Sequence, residues 1–207
     1  MKSSNDMYYG VIGVDKIFTD KSEKGIASIT PFEFNSKDNF IYNFRNARED
    51  PMFIIRDGKY VRLKVNGEIM MSDTGMERVS NKQFIQNATG RVLIAGLGIG
   101  LIINNILQNE SITEIIIIEK YQDVIDLVAP KFNDPRLKIV YADIFDWMPA
   151  KGEKFNTIYF DIWPTICTDN LTEINLLHSR FKRFKAKSGW MNSWLKEYLQ
   201  KQKRKGW

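Results

Sequence analysis

The rhythm of apolar and polar positions changes near residue 74. Before it, short runs rich in β-branched and aromatic residues, several alternating with period two, predict strands at Tyr8–Val14, Ala27–Phe32, Phe40–Phe44, Met52–Ile55 and Tyr60–Val65. Asp57-Gly58 and Asn66-Gly67 suit two-residue turns and predict hairpins, so residues 1–73 read as a small antiparallel β segment. From 74 to 207, strand-like and helix-like stretches alternate. A helix is expected over Glu77–Thr89, with Phe84 and Ile85 inward and Gly90 ending it. Strands follow at Val92–Ala95, Ile115–Glu119, Leu137–Tyr141 and Thr157–Asp161, with helices at Leu101–Asn109 and Gln122–Lys131 and a short segment at Phe145–Trp147. Leu171–Lys185 reads as an amphipathic helix, Gly189 interrupts it, and Trp190–Trp194 suits either a fifth strand or the start of a last helix. Alternating βα units imply an α/β fold with a parallel sheet and right-handed crossovers.

The sharpest break in the pattern is Gly96-x-Gly98-x-Gly100, directly after the first of the parallel strands. Glycines there let the backbone turn tightly and approach a ligand, at which the next helix points its partially positive end. Glu119 closes the second strand, where a carboxylate can accept hydrogen bonds from two ribose hydroxyls. Asp143 follows the third strand and Asp161 the fourth, and in an open parallel sheet such strand ends line one crevice. Any one of these carboxylates could simply cap the next turn. Three in succession favour a nucleoside site.

Composition narrows the classes. The 207 residues, 43% hydrophobic and 27% charged, allow one large domain or one with a modest appendage, and exclude a disordered or membranous chain. The longest nearly apolar stretch, Val92 to Ile103, holds three glycines and falls short of a bilayer span. The first residues lack a secretory apolar core, and the single cysteine, Cys167, excludes an internal disulfide, so a cytoplasmic location is expected. No His/Cys cluster has metal-ligand spacing, so no metal is expected. One histidine, His178, and no Gly-x-Ser-x-Gly exclude a serine hydrolase. The net charge of +5 is uneven: residues 180–207 carry ten Lys/Arg against Glu197 alone, with Trp190, Trp194 and Trp207 among them. A solvated helix face is the favoured reading of that run, and contact with a nucleic-acid backbone the alternative.

Val92-Leu-Ile-Ala-Gly-Leu-Gly-Ile-Gly, Ile117-Ile-Glu119, Val140-Tyr-Ala-Asp143 and Thr157-Ile-Tyr-Phe-Asp161 resemble the successive motifs of the class I S-adenosylmethionine-dependent methyltransferases. Within that superfamily the chain is most similar to the spermidine-synthase-like branch, whose lead-in hairpin resembles Leu63-Lys-Val-Asn-Gly-Glu-Ile-Met-Met-Ser and whose first motif often has an aliphatic residue at the place of Ile94. The resemblance spans residues 60–165. It implies a Rossmann-like methyltransferase fold, C-terminally shortened because few residues follow the Leu171–Lys185 helix, and S-adenosylmethionine as cofactor. It gives Gly96, Gly98 and Gly100 to the methionine side of the cofactor, Glu119 to the ribose and Asp143 to the adenine amine. Asp161 would be the catalytic residue beside the transferred group. Trp163 suits either a stacking contact for a planar substrate or a structural tryptophan beside a proline turn.

Two departures bear on the reaction. Asp161-Ile-Trp-Pro-Thr lacks the second carboxylate and the Pro-x-Gly of polyamine synthases, and Met70, Met71 and Ser72–Met76 replace their Gln and Asp-Glu…Tyr pattern. The expected activity is therefore methyl transfer to a nucleophile, with aminopropyl transfer or a non-catalytic nucleoside-binding scaffold as alternatives. A nicotinamide oxidoreductase ranks lower, because Leu101 occupies the last glycine position of the dinucleotide fingerprint. A homodimer with Trp190 and Trp194 in its interface is expected, since a border strand needs cover.

Overall fold

Two sheets underlie the change of rhythm. The computed structural model describes residues 3–206, so Trp207 lies outside the described residues. Strands β1 (Ser22–Lys24), β2 (Ala27–Phe34), β3 (Gly58–Val65) and β4 (Glu68–Ser72) form an antiparallel sheet in sequential order. Strands β5 (Gly90–Ala95), β6 (Ile112–Glu119), β7 (Leu137–Tyr141), β8 (Phe155–Phe160) and β9 (Lys185–Ser193) form a parallel sheet of order β7-β6-β5-β8-β9. The helices are α1 (Ser4–Tyr9), α2 (Phe40–Glu49), α3 (Gly75–Ser80), α4 (Lys82–Asn87), α5 (Leu101–Ile106), α6 (Gln122–Val128), α7 (Asn170–Phe181) and α8 (Lys196–Arg204). The fold is α/β and Rossmann-like, preceded by a small antiparallel sheet. Val92, Leu93, Ile94 and Ala95 of β5 are fully buried, as expected of a central parallel strand covered on both faces. After β7 the chain crosses to the far side of β5 to form β8, which opens a crevice between their carboxyl ends.

Several expected elements differ. Tyr8–Val14 is not a strand: Ser3 and Asp6 form a reciprocal capping box that nucleates α1, and Gly10 ends it. Phe40–Phe44 is the start of α2 and Met52–Ile55 holds only a 3-10 turn over Pro51–Phe53. There the backbone of Ile55 is satisfied by the Asn43 side chain (2.8 and 3.0 Å) and the Phe53 carbonyl by Asn46 (3.2 Å), so no strand ladder is needed. Asn66-Gly67 does make the β3–β4 hairpin turn, with φ of 52° and 81°. Asp57-Gly58 instead leads into β3, where Gly58 pairs with Phe34. The helix expected over Glu77–Thr89 breaks at Asn81 into α3 and α4. Of the two readings of Trp190–Trp194 the strand holds: β9 runs through Trp190 to Ser193, and the last helix, α8, begins only at Lys196.

The expected dimer contact through Trp194 is a correction. Its ring is 3% exposed and its Nε1–H donates to Ser80 Oγ at 2.9 Å, while Trp190 is half-buried and stacks on Tyr159 at 6.0 Å. Burial within the chain leaves Trp194 no apolar area for a partner.

A buried ion cluster ties the amino-terminal segment to α3. Arg78, 1% exposed, donates to Asp6 Oδ1 (2.8 Å), Asp73 Oδ2 (3.2 Å) and the Asp73 carbonyl (2.6 Å). The same two carboxylates accept from the backbone of Gly13, Val14 and Val61. Further along, Asn105 of α5 clasps both backbone groups of Ile12 (2.8 and 2.9 Å).

His178 joins α7, β9 and α8. Lys196 Nζ donates to its Nδ1 at 3.1 Å, so the ring proton sits on Nε2 and is donated to Ser193 Oγ at 2.9 Å. With that proton in place His178 cannot act as a base toward Ser193. Burial, then the Lys196 charge, push the imidazole down to about 4 from its usual 6.5. The folded state thus holds this ring neutral, a contribution fully present above pH 6.5 and lost as pH falls through about 4. Over that interval the melting temperature should fall more steeply for wild type than for His178→Gln, which keeps a donor and an acceptor but cannot titrate. Parallel curves in a pH series of thermal melts would contradict this. Among the described residues no helix is long and apolar enough to cross a membrane.

Candidate functional site

A cleft lies at the switch point. Its floor is the β5–α5 turn, its walls are the segments after β6, β7 and β8, and one side is closed by the β3–β4 hairpin and α3. Of the residues expected at the site, Gly96, Gly98, Glu119, Asp143, Asp161 and Trp163 all line it. Gly100 does not: with φ of 73° it starts α5, and a Cβ there would meet the Phe132 ring.

The turn needs its first two glycines for close approach. Gly96 has φ of 99° and a Cβ on it would strike the Asp161 carbonyl oxygen, so this glycine lets the ends of β5 and β8 draw together. Gly98 has φ of 53° and a Cβ there would strike Met71 Sδ. That sulfur accepts the Ile99 N–H at 3.3 Å, so a thioether from β4 sits over the turn. Glu119, 7% exposed, accepts from the Leu97 N–H through Oε2 and from the Tyr121 N–H through Oε1, both at 2.9 Å. Burial pushes its carboxyl above the usual range, against the opposing pull of the Leu97, Tyr121 and Lys120 amides. Each oxygen keeps a lone pair, so this carboxylate can brace the turn and accept from a ligand together.

Asp143 accepts the Phe145 N–H at 2.8 Å, while its carbonyl accepts from Asp146 and Trp147. It therefore caps its own turn as well as lining the cleft, and the segment expected at Phe145–Trp147 is part of that turn. Trp163, 7% exposed, is held by a 2.7 Å bond from Nε1–H to Glu173 Oε2.

The acidic end of the cleft holds a residue that sequence reasoning missed. Glu77 of α3, 6% exposed, lines the cleft together with Asp161. Burial pushes Glu77 well above the usual carboxylate range, and the neighbouring Asp161 charge adds to the shift. Burial likewise lifts Asp161 to about 7, with the Asn81 side chain opposing the shift. In the sequence Glu77 stands only as an acid in a first helical turn, beside Arg78. Among the described residues no group of three or more His, Cys, Asp or Glu could hold a metal ion.

No protein-family model matches the chain. Spermidine synthase from Thermotoga maritima superposes with a TM-score of 0.51 at 18% identity, over 84% of this chain and 55% of that one. This chain has a spermidine-synthase-like fold. A curated relative, polyamine aminopropyltransferase 1 from Streptomyces coelicolor, is 25% identical over 114 residues, which is 49% of this chain and 22% of that protein. The chain thus spans only part of the length of both proteins. A coclaurine N-methyltransferase structure with bound N-methylheliamine and SAH aligns at a TM-score of 0.42 and 15% identity, over 55% of this chain and 33% of that one.

Proposed function

We propose that the chain is an S-adenosylmethionine-dependent transferase that methylates an amine nitrogen. The observation that carries this reading is one cleft lined both by a Glu119-braced glycine turn and by two further carboxylates, Glu77 and Asp161. The donor set suits the cofactor. Glu119 has acceptor capacity for ribose hydroxyls, Asp143 for an adenine amine, and the missing Cβ atoms of Gly96 and Gly98 leave the backbone open to the methionine part. Met71 Sδ, over Gly98, is the far end of a flexible side chain and can swing aside. When bound, the cofactor supplies a methyl group already activated by its sulfonium.

The protein's own work is alignment and one proton transfer. Two carboxylates in a poorly solvated pocket repel unless a proton or a cation lies between them, so an acceptor ammonium is favoured there. Asp161, lifted to about 7, takes one proton from that ammonium and leaves the nitrogen lone pair free. Trp163 closes the cleft beside it and helps to exclude water. The residues assigned to the cofactor all fall within 74–207, and 1–73 supplies the hairpin wall.

Glu77 also favours a second reading, aminopropyl transfer, since it is the kind of additional carboxylate that a diamine requires. Calorimetry tests the first reading. S-adenosylhomocysteine should bind with micromolar affinity and NAD much more weakly, and Gly98→Val should abolish the heat without unfolding the protein. No heat from S-adenosylhomocysteine in ligand-free protein would overturn it. Putrescine with decarboxylated S-adenosylmethionine should yield no spermidine, and its appearance would move the assignment to the second reading.

A further inference from the structure

We propose that Met71 gates the cleft: its thioether occupies the glycine turn while the turn is empty, and the cofactor binds by displacing it. This deepens the cofactor assignment and rests on it.

A bulge in the hairpin aims Met71 there. Side chains alternate across a strand, so of two consecutive residues only one should face the cleft. Met70 and Met71 both line it. In the β3–β4 register Leu63 pairs with Met71 and Lys64 with Ile69, which leaves Met70 as an extra residue in β4. Such a bulge bends its strand and re-aims side chains. Met71, directly opposite the buried Leu63, keeps the inner face and reaches the β5–α5 turn.

Two amides of that turn are held in different ways. The Leu97 N–H donates to Glu119 Oε2 at 2.9 Å, and that carboxylate is itself anchored by the Tyr121 N–H. The Ile99 N–H donates to Met71 Sδ at 3.3 Å. A thioether is a weak acceptor on an unbranched side chain with three rotatable bonds, so this second contact breaks at small cost. The sulfur also fills the space that the missing Cβ of Gly98 leaves open. That is the space assigned to the methionine part of the cofactor, and two groups cannot share it. Leu63, Val65, Leu101 and Ile102 line the same cleft and offer the displaced thioether apolar surface. A ligand therefore has to exchange with Met71, and its affinity is reduced by the stability of the closed arrangement.

Amide NMR and calorimetry on the full chain test the gate. Without ligand, the Ile99 amide proton should shift upfield in Met71→Leu, which keeps the volume but not the acceptor, and should exchange faster with solvent in Met71→Ala. S-adenosylhomocysteine should bind Met71→Ala about fivefold more tightly than wild type, since no closed arrangement has to be opened. An unmoved Ile99 resonance in Met71→Leu would overturn the placement of the sulfur. Equal or weaker binding by Met71→Ala would overturn the gate and leave the cofactor assignment standing. Binding to neither protein would overturn the cofactor assignment, and the gate with it.

Discussion

Arg78→Met is expected to lower the free energy of unfolding at neutral pH by about 3–5 kcal/mol, the usual cost of stripping one partner from a buried ion pair. Methionine fills much the same volume, so the loss reports charge and not a cavity. Asp6 and Asp73, both almost wholly buried, would keep their backbone donors from Gly13, Val14 and Val61 but lose the guanidinium that pairs with both. Asp73 already has a carboxyl raised by burial with Arg78 beside it, and without that charge it should rise further. A carboxyl whose folded value is raised contributes stability below its unfolded value and loses it as pH rises, so the deficit of the variant should be larger at pH 8 than at pH 5. Urea denaturation at the two pH values measures both effects. A midpoint unchanged at either pH would show that the cluster adds nothing to stability.

Glu119→Ala should weaken S-adenosylhomocysteine binding by about tenfold or more, since each hydrogen bond to a charged acceptor is worth about 1.5–3 kcal/mol. The structure adds a second consequence. The Leu97 and Tyr121 amides lose their acceptor at the same time, so the glycine turn should loosen even without ligand. Calorimetry gives the first effect and amide hydrogen exchange at Leu97 the second. Faster exchange with affinity changed by less than about threefold would make Glu119 a brace for the turn and place the ribose elsewhere.

The parallel sheet was legible because its inner strands are continuous apolar runs such as Ile115–Ile118, punctuated by glycine or an acid, a pattern that few other structures share. The acids at strand ends could be placed for the same reason: once a strand is located, the sheet rule says where its carboxyl end opens. Local pattern failed at α2, where Phe40 and Ile41 are each 66% exposed, because an apolar outward face hides the helical period. It failed again at Asn81, where the helix breaks without glycine or proline to mark the place. Glu77 was invisible for a different reason. Its neighbour in the cleft is Asp161, and only the folded chain shows that an acid in a helical turn and an acid after a strand share one poorly solvated space.

The tethers of the amino-terminal segment bear on the order in which the molecule assembles. Asn5 reaches Tyr60, Asp6 reaches Arg78 and Ile12 reaches Asn105, separations of 55, 72 and 93 residues. Such contacts require long loops to close before they yield any stabilisation. During synthesis, residues 3–14 leave the ribosome before β3, α3 and α5 exist to receive them, so this segment must wait for the glycine turn and its helix before it can settle.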